Sequence, residues 1–373
     1  MKNKPDSLFF ARLFVPQAPQ NSFYRRAESE IQLAIPPTQC VCGMEIIMKR
    51  DSYFDNYKAF LIFLVVMAHY LEPLGNDMSL ALFIRKVVYL FHMPAFAFVS
   101  GYFSKHNSFE KLVKRLIVPY TIAQIGFYFL ANYLWEVETD FTLFTPNYTL
   151  WFLLSLFVWR CVIDRVSMIK GIVPIAFFIG ILAGFDDSIG RYLSLSRMIT
   201  FFPYFLLGYQ FDKAKFMEFA NKKSVKISAG ILLAGIFGWL CLFSESIDIH
   251  LFESCYSYEK MELSNGWLQR GILYVIATGV IYLIAVLIPR KQYWFSYIGS
   301  RTMGIYLTHG AIVKTLQYCT SIYDFFDSSA GVVLLIGFSL LLCLVLSSNK
   351  INQMVGKLSC IPIERIVKRR CTV

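Results

Sequence analysis

Lys58 and His69 stand eleven residues apart, and every residue from Ala59 to Ala68 between them is apolar. On a helix, eleven steps of 100° end about 20° past three full turns. Both side chains therefore leave the same face, about 16 Å apart at 1.5 Å per residue. An apolar helix thus sets a cation at one end in line with an imidazole about half a hydrocarbon core further on. Imidazole is the side chain best suited to exchanging a proton near neutral pH. Ionisable groups inside apolar spans are costly enough to mark function by default. The chain has five histidines, and two more share this setting: His92, ahead of Met93-Pro94, and His309. Counted along their apolar stretches, His69, His92 and His309 fall in one layer. They fit a shared proton-transfer site, or three separate core histidines bonded to neighbouring helices. Glu72, one turn after His69, fits equally an orienting partner for the imidazole and a group at the lipid–water boundary.

The elements that must carry these residues are apolar throughout. Of 373 residues, 56% are hydrophobic and only 16% charged, with mean hydropathy +0.52. Soluble domains carry about 25% charged residues, so this chain cannot coat a soluble globule of its size. Ten apolar segments can be drawn, at about 56–74, 87–104, 116–134, 149–163, 171–185, 198–211, 227–246, 271–289, 297–318 and 331–347. Together they predict an all-α polytopic membrane protein of about ten transmembrane helices.

Charge sets the expected orientation. The connections 105–115, 160–170, 211–226 and 290–295, with 348–373, hold 20 basic and 5 acidic residues; the alternate connections hold 6 basic and 14 acidic. Basic loops stay in the cytoplasm, which predicts both termini inside. The same bias accounts for the net charge of +11 without nucleic acid as a partner. The expected organisation is a leader over 1–48, disordered or added by an upstream start codon, a membrane domain over 49–347, and a basic cytoplasmic tail over 348–373.

The nine cysteines are scattered. Cys40-x-Cys42 is the one close pair, and no second pair or histidine spacing makes it a metal site. Cys255 and Cys319 fall on the same expected outer side, which allows a disulfide. Ser100-Gly101 reads as close helix packing in preference to a serine nucleophile. The outer aromatics Trp135, Tyr148, Tyr256, Tyr258 and Trp267 read mostly as interfacial belt, with stacking on sugar rings as the other use.

The ordered set of short motifs resembles acyltransferase family 3. Asp55-Asn56-Tyr57-Lys58…His69 is similar to the family's first-helix signature, a basic residue, ten residues, then histidine. The resemblance continues through Phe91-His92-Met93-Pro94, Lys114-Arg115-Leu116-Ile117-Val118-Pro119-Tyr120, Trp151-Phe152-Leu153 and Phe202-Pro203-Tyr204-Phe205-Leu206-Leu207-Gly208-Tyr209. It ends with Ile298-Gly299-Ser300-Arg301-Thr302 and Tyr306-Leu307-Thr308-His309. Residues 50 to about 347 are covered, and the wording is closest to the fucose 4-O-acetylase-like branch. Lys58 stands where many relatives have arginine, which loses a bidentate fork.

The resemblance implies an O-acyltransferase of the bacterial inner membrane. It would move an acyl group, usually acetyl, from cytoplasmic acetyl-CoA or another acyl-CoA to a hydroxyl of a sugar or glycan, with no metal. His69, with Glu72, His92 and His309, would make the catalytic group, His69 serving as general base or acyl carrier. Lys58, Arg115 and Asp55 would make the donor-binding group; for Arg115, anchoring on the cytoplasmic side is the competing use. The rival classes are a transporter or flippase, which also places polar residues at mid-membrane, and a membrane sensor or polysaccharide polymerase.

Overall fold

Why the first long helix begins where it does is visible at Asp51, whose carboxylate accepts from the Tyr53 amide at 3.2 Å and so satisfies one of the unpaired first-turn donors. A computed structural model describes residues 51–105, 108–190 and 192–358, and among these every regular element is helical. The expected leader 1–48 and the end of the basic tail lie outside the described residues. The main helices are α1 (Ser52–Leu71), α2 (Ser79–Tyr89), α3 (His92–Tyr102), α4 (Val118–Tyr133), α5 (Trp151–Val166), α6 (Ile172–Leu182), α7 (Leu195–Tyr209), α8 (Lys223–Phe243), α9 (Gly266–Leu287), α10 (Thr302–Cys319) and α11 (Ser329–Leu346).

Among the described residues five stretches are long and apolar enough to cross a membrane: Ser52–Leu74, Ser79–Tyr102, Lys223–Ser246, Gly266–Leu287 and Ser329–Leu346. The other helices at the expected segments are shorter or less apolar.

The helix α1 is apolar nearly all round and is mostly buried, as expected of a helix enclosed by others. It packs against α2, α3, α10, α11 and the short helix Ser296–Gly299. Its first turns are tied down by side chains. The Tyr53 and Tyr57 hydroxyls donate to the α9 carbonyls of Ala285 and Ile281 at 2.8 and 3.0 Å. Asn56 Nδ2 donates to the Pro289 and Lys291 carbonyls, both at 2.8 Å, and its Oδ1 accepts from Ser296 Oγ. A Cβ on Gly299 would overlap the Asp55 carbonyl, so the two backbones touch. By contrast α8 is the least buried of the five stretches and presents Ile231, Leu232, Phe237 and Leu242 outward.

The expected segment 87–104 needs correction. Its helix begins at Ser79, breaks at Leu90-Phe91 and restarts at His92. Pro94 explains the break, because its ring would clash with the Leu90 carbonyl in a continuous helix. Arg85 and Lys86, assigned to an outer loop by sequence, are therefore helical and buried. Arg85 Nη1 donates to the Gly75 carbonyl at 3.3 Å and Asn76 Oδ1 at 3.2 Å, and Lys86 Nζ to the Ser244 carbonyl at 2.7 Å.

Candidate active site

The restart at His92 leaves carbonyls at the end of α2 without their usual helical donors. The Val88 carbonyl accepts from His92 Nδ1 at 2.8 Å. On α10 the Ile305 carbonyl likewise accepts from His309 Nδ1 at 2.9 Å. A carbonyl only accepts, so in both rings Nδ1 carries the proton and Nε2 is a bare acceptor. His309 Nε2 is sealed from solvent and has no partner among the described residues.

His69, in the last turn of α1, reaches the same state by a different route. Its Nδ1 lies 3.1 Å from Glu72 Oε2 and 2.9 Å from the Tyr148 hydroxyl oxygen. That hydroxyl has a single proton, donated to Glu72 Oε2 at 2.7 Å. Both neighbours of Nδ1 are thus acceptors, and the network assigns the proton to Nδ1. Its Nε2 is left as the free base. The His69 and His309 ring centres are 5.4 Å apart.

Lys314 of α10 completes the group. Its ammonium lies 3.3 Å from Glu72 Oε1 and 4.6 Å from the centre of the Tyr148 ring. Glu72 therefore meets a cation on one oxygen and two donors on the other. This is the environment that keeps a carboxylate ionised and fixed.

Tyr148 has the positive φ of 44°, a left-handed backbone that costs a bulky residue on the order of 1–3 kcal/mol. The loop holding it there is bonded to α4. Gln124, fully buried, donates to the Thr142 and Thr145 carbonyls at 2.8 Å each and accepts from the Asn147 amide at 2.9 Å. On the other side Gly310 gives it room, since a Cβ there would come within 3.0 Å of Tyr148 Cδ1.

His69, Glu72, His92 and Tyr148 line a cavity of about 260 Å³, together with Tyr306 and residues of 190–201 and 252–255. Small-ligand sites usually run from roughly 300 Å³ upward, so this one suits a compact polar group. The loop 245–270 forms part of its wall through Phe252, Glu253 and Cys255, and Lys86 ties α2 to the start of that loop.

The structure thus brings His69, Glu72, His92 and His309 together, and adds Tyr148 and Lys314. The sequence offers Tyr148 only as a belt or sugar-stacking aromatic; its positive φ has no sequence signature. Lys314 carried a signal, being an ammonium inside an expected span. Among the described residues no group of His, Cys, Asp or Glu could hold a metal. The disulfide allowed between Cys255 and Cys319 is not made: Cys319 is a free thiol, against the Leu134 carbonyl at 3.4 Å.

The remaining three candidates lie elsewhere. Lys58, at the opposite end of α1 from His69, pairs with Asp55 at 2.8 Å and sits over the Phe103 ring at 5.7 Å. Next to Phe103, Ser104 Oγ accepts from Arg160 Nε at 3.1 Å, and Arg115 is close enough to Arg160 for charge repulsion. Arg115 itself is exposed, on a π-helical turn over Val113–Ile117, and forms no bond with Lys58 or Asp55. Arg160 is the member that sequence reading missed.

No curated protein and no solved structure matches the chain. The family described as acyltransferase domain matches residues 51–348, a stretch that holds every residue of the site and all of α1 to α11. That match covers most of the chain, with the His69–Glu72–Tyr148 cluster and its cavity inside it, and the chain belongs to acyltransferase family 3.

Proposed function

We propose that this membrane acyltransferase moves an acetyl group from cytoplasmic acetyl-CoA to a hydroxyl of a surface-glycan sugar in the bacterial inner membrane, as in the fucose 4-O-acetylase-like branch. One observation carries the reading: Glu72 and Tyr148 hold the proton on His69 Nδ1, which leaves Nε2 as a free base at the cavity. A sugar hydroxyl is a poor nucleophile until its proton is taken. His69 Nε2 accepts that proton as the hydroxyl oxygen attacks the thioester carbonyl. The C–S bond then breaks, and the proton passes to the departing thiolate of CoA. Glu72 stabilises the imidazolium formed between these steps, as a carboxylate does for a catalytic histidine elsewhere.

The donor's phosphates belong at the other end of α1, where Lys58, Arg160 and Arg115 supply positive charge. Asp55 beside Lys58 would repel phosphate and is better read as fixing the ammonium. The acyl arm then follows α1 over the ~16 Å of helical rise to His69. Purified protein given radiolabelled acetyl-CoA and membrane glycan should place label in the glycan. Energy-dependent movement of glycan with no covalent label would instead mark a transporter. Label retained on the protein in a single turnover without acceptor would show an acyl-histidine in place of base catalysis.

The donor assignment predicts a graded series. Lys58→Arg should retain activity, because charge stays at the same depth. Lys58→Ala should raise the KM for acetyl-CoA about tenfold, and Lys58→Glu more, since like charges repel. Equal KM values across the three variants would leave Lys58 as an anchor of topology alone.

Ten spans with both termini cytoplasmic is the topology that places donor and acceptor on opposite sides. Reporter fusions after residues 140 and 258 should then be read outside and one after 218 inside. A cytoplasmic 245–270 loop would remove the outer wall of the cavity from the acceptor's side and end this arrangement.

A further inference from the structure

Arg197 stands in the first turn of α7 and lines the cavity beside Trp151, Ser194, Ser196 and Glu253. Two contacts fix the plane of its guanidinium. It lies over the Trp151 ring at 5.0 Å, and its Nε donates to the Glu253 carbonyl at 3.0 Å. Trp151 is itself held on its ring by Phe201, with centroids 5.3 Å apart. Among the described residues Arg197 makes no other hydrogen bond and no ion pair. Neither Nη nitrogen is among the sealed polar atoms, so the terminal fork is open.

The other charges at the cavity are matched. Glu72 meets Lys314 and His69, and the Glu253 carboxylate lies 3.2 Å from His250 Nδ1. Arg197 is therefore the one unpaired fixed charge among the described lining residues. A guanidinium fixed in a cavity wall with no anion beside it leaves its fork for one supplied from outside. Beside it stand the buried residues Ser194 and Ser196, whose hydroxyls make no hydrogen bond among the described residues and are not among the sealed polar atoms. The chain bends sharply to present them: Leu193 and Ser194 have φ of 53° and 51°, two consecutive left-handed residues of the kind that cluster at functional sites.

A rigid planar fork with free hydroxyls alongside matches a carboxylate or a phosphate monoester, gripped through two parallel N–H···O bonds. We propose that Arg197, with Ser194 and Ser196, is the recognition site for an acidic group on the acceptor, so that the acylated glycan carries a carboxylate or phosphate beside the reacting hydroxyl. The inference rests on the acyl-transfer reading for the word acceptor, while the binding site stands on its own geometry. Donor phosphates do not compete for it, because Lys58 lies at the far end of α1.

The test uses full-length protein in lipid nanodiscs and measures thermal stabilisation by methyl glycosides in pairs. Glucuronide is set against glucoside, galacturonide against galactoside, with glucose 6-phosphate and inorganic phosphate as further arms. At least one acidic sugar should bind ten times or more tightly than its neutral partner. Arg197→Gln should erase that preference, and Arg197→Lys should restore part of it in a correctly folded protein. Preference for glucose 6-phosphate over both uronides assigns the group as phosphate; preference for a uronide assigns it as carboxylate.

Equal binding within every pair, a preference that survives Arg197→Gln, or inorganic phosphate binding as well as any sugar would overturn the proposal. A transfer assay supplies the second arm, with an acidic glycan and its carboxyl-reduced counterpart as acceptors. Arg197→Gln should raise the KM for the acidic glycan alone. A fall in kcat that is equal for both, with KM unmoved, would make Arg197 a group for the transition state and also overturn it. If a uronide binds through Arg197 and no label reaches any glycan, the acyl-transfer reading fails and the acidic-sugar site remains.

Discussion

His69→Ala is expected to remove acyl transfer altogether, with the variant still present in the membrane at the parent's level. General-base catalysis supplies about 10²–10⁴-fold, and no other group in the cavity can take over the role. His92 and His309 both present a bare Nε2, but neither has a carboxylate on its Nδ1; each is bonded there to a backbone carbonyl. An imidazolium forming on either ring would lack the counter-charge that Glu72 gives His69. Insertion is not at risk, because alanine makes the last turn of α1 more apolar. Glu72→Gln sharpens the assignment. The amide oxygen still accepts from Nδ1, so some activity should survive, lowered roughly 10–100-fold, but Lys314 loses its anion. Glycan acetylation measured by mass spectrometry, beside membrane abundance by immunoblot, reads both variants. Acetylation at the parent's level in His69→Ala would end the base assignment. A larger loss in Glu72→Gln than in His69→Ala would move the chemistry from the imidazole to the carboxylate.

Much of this arrangement is legible in the sequence, and the reason is periodicity. The Lys58–His69 spacing placed both residues on one face because helical geometry leaves no alternative over ten apolar residues. Apolar length likewise located α8, α9 and α11 to within a few residues. What the sequence did not disclose depends on backbone irregularity and on contacts between distant segments. The break at Leu90-Phe91 was hidden because Pro94 within an apolar run reads as a tolerated kink. Its consequence is that Arg85 and Lys86 lie in a helix and not in the expected loop. Tyr148 enters the site through one left-handed residue in an irregular loop fixed by Gln124, through bonds 18 to 23 residues apart that no local pattern encodes. Lys314 was within reach of the same rule that singled out the histidines. Arg197 was not, since at a helix start it looked like one more loop charge.

Gly208→Val is expected to yield no folded protein, and Gly101→Val the same, although neither residue touches the cavity. Gly101 on α3 and Gly208 on α7 mark the place where these helices cross. A Cβ on Gly101 would overlap the Phe205 carbonyl, and one on Gly208 the Phe98 carbonyl. Each added carbon meets backbone of the facing helix, which has no rotamer through which to yield. Overpacking a core against side chains costs about 1–3 kcal/mol; here relief requires the helices to part. Small residues are what allow membrane helices to approach this closely, through packing that lipid would otherwise satisfy. The crossing also sets the site, because α3 begins at His92 and α7 carries Arg197 in its first turn. Separating the helices would move two walls of the cavity at once. The control is Gly235→Val on α8, where an added Cβ meets nothing within 4 Å. That variant should match the parent in membrane abundance and in labelled glycan, while Gly208→Val is degraded. Normal abundance of Gly208→Val with full acyl transfer would mean that the close approach of α3 and α7 is not needed to build the cavity.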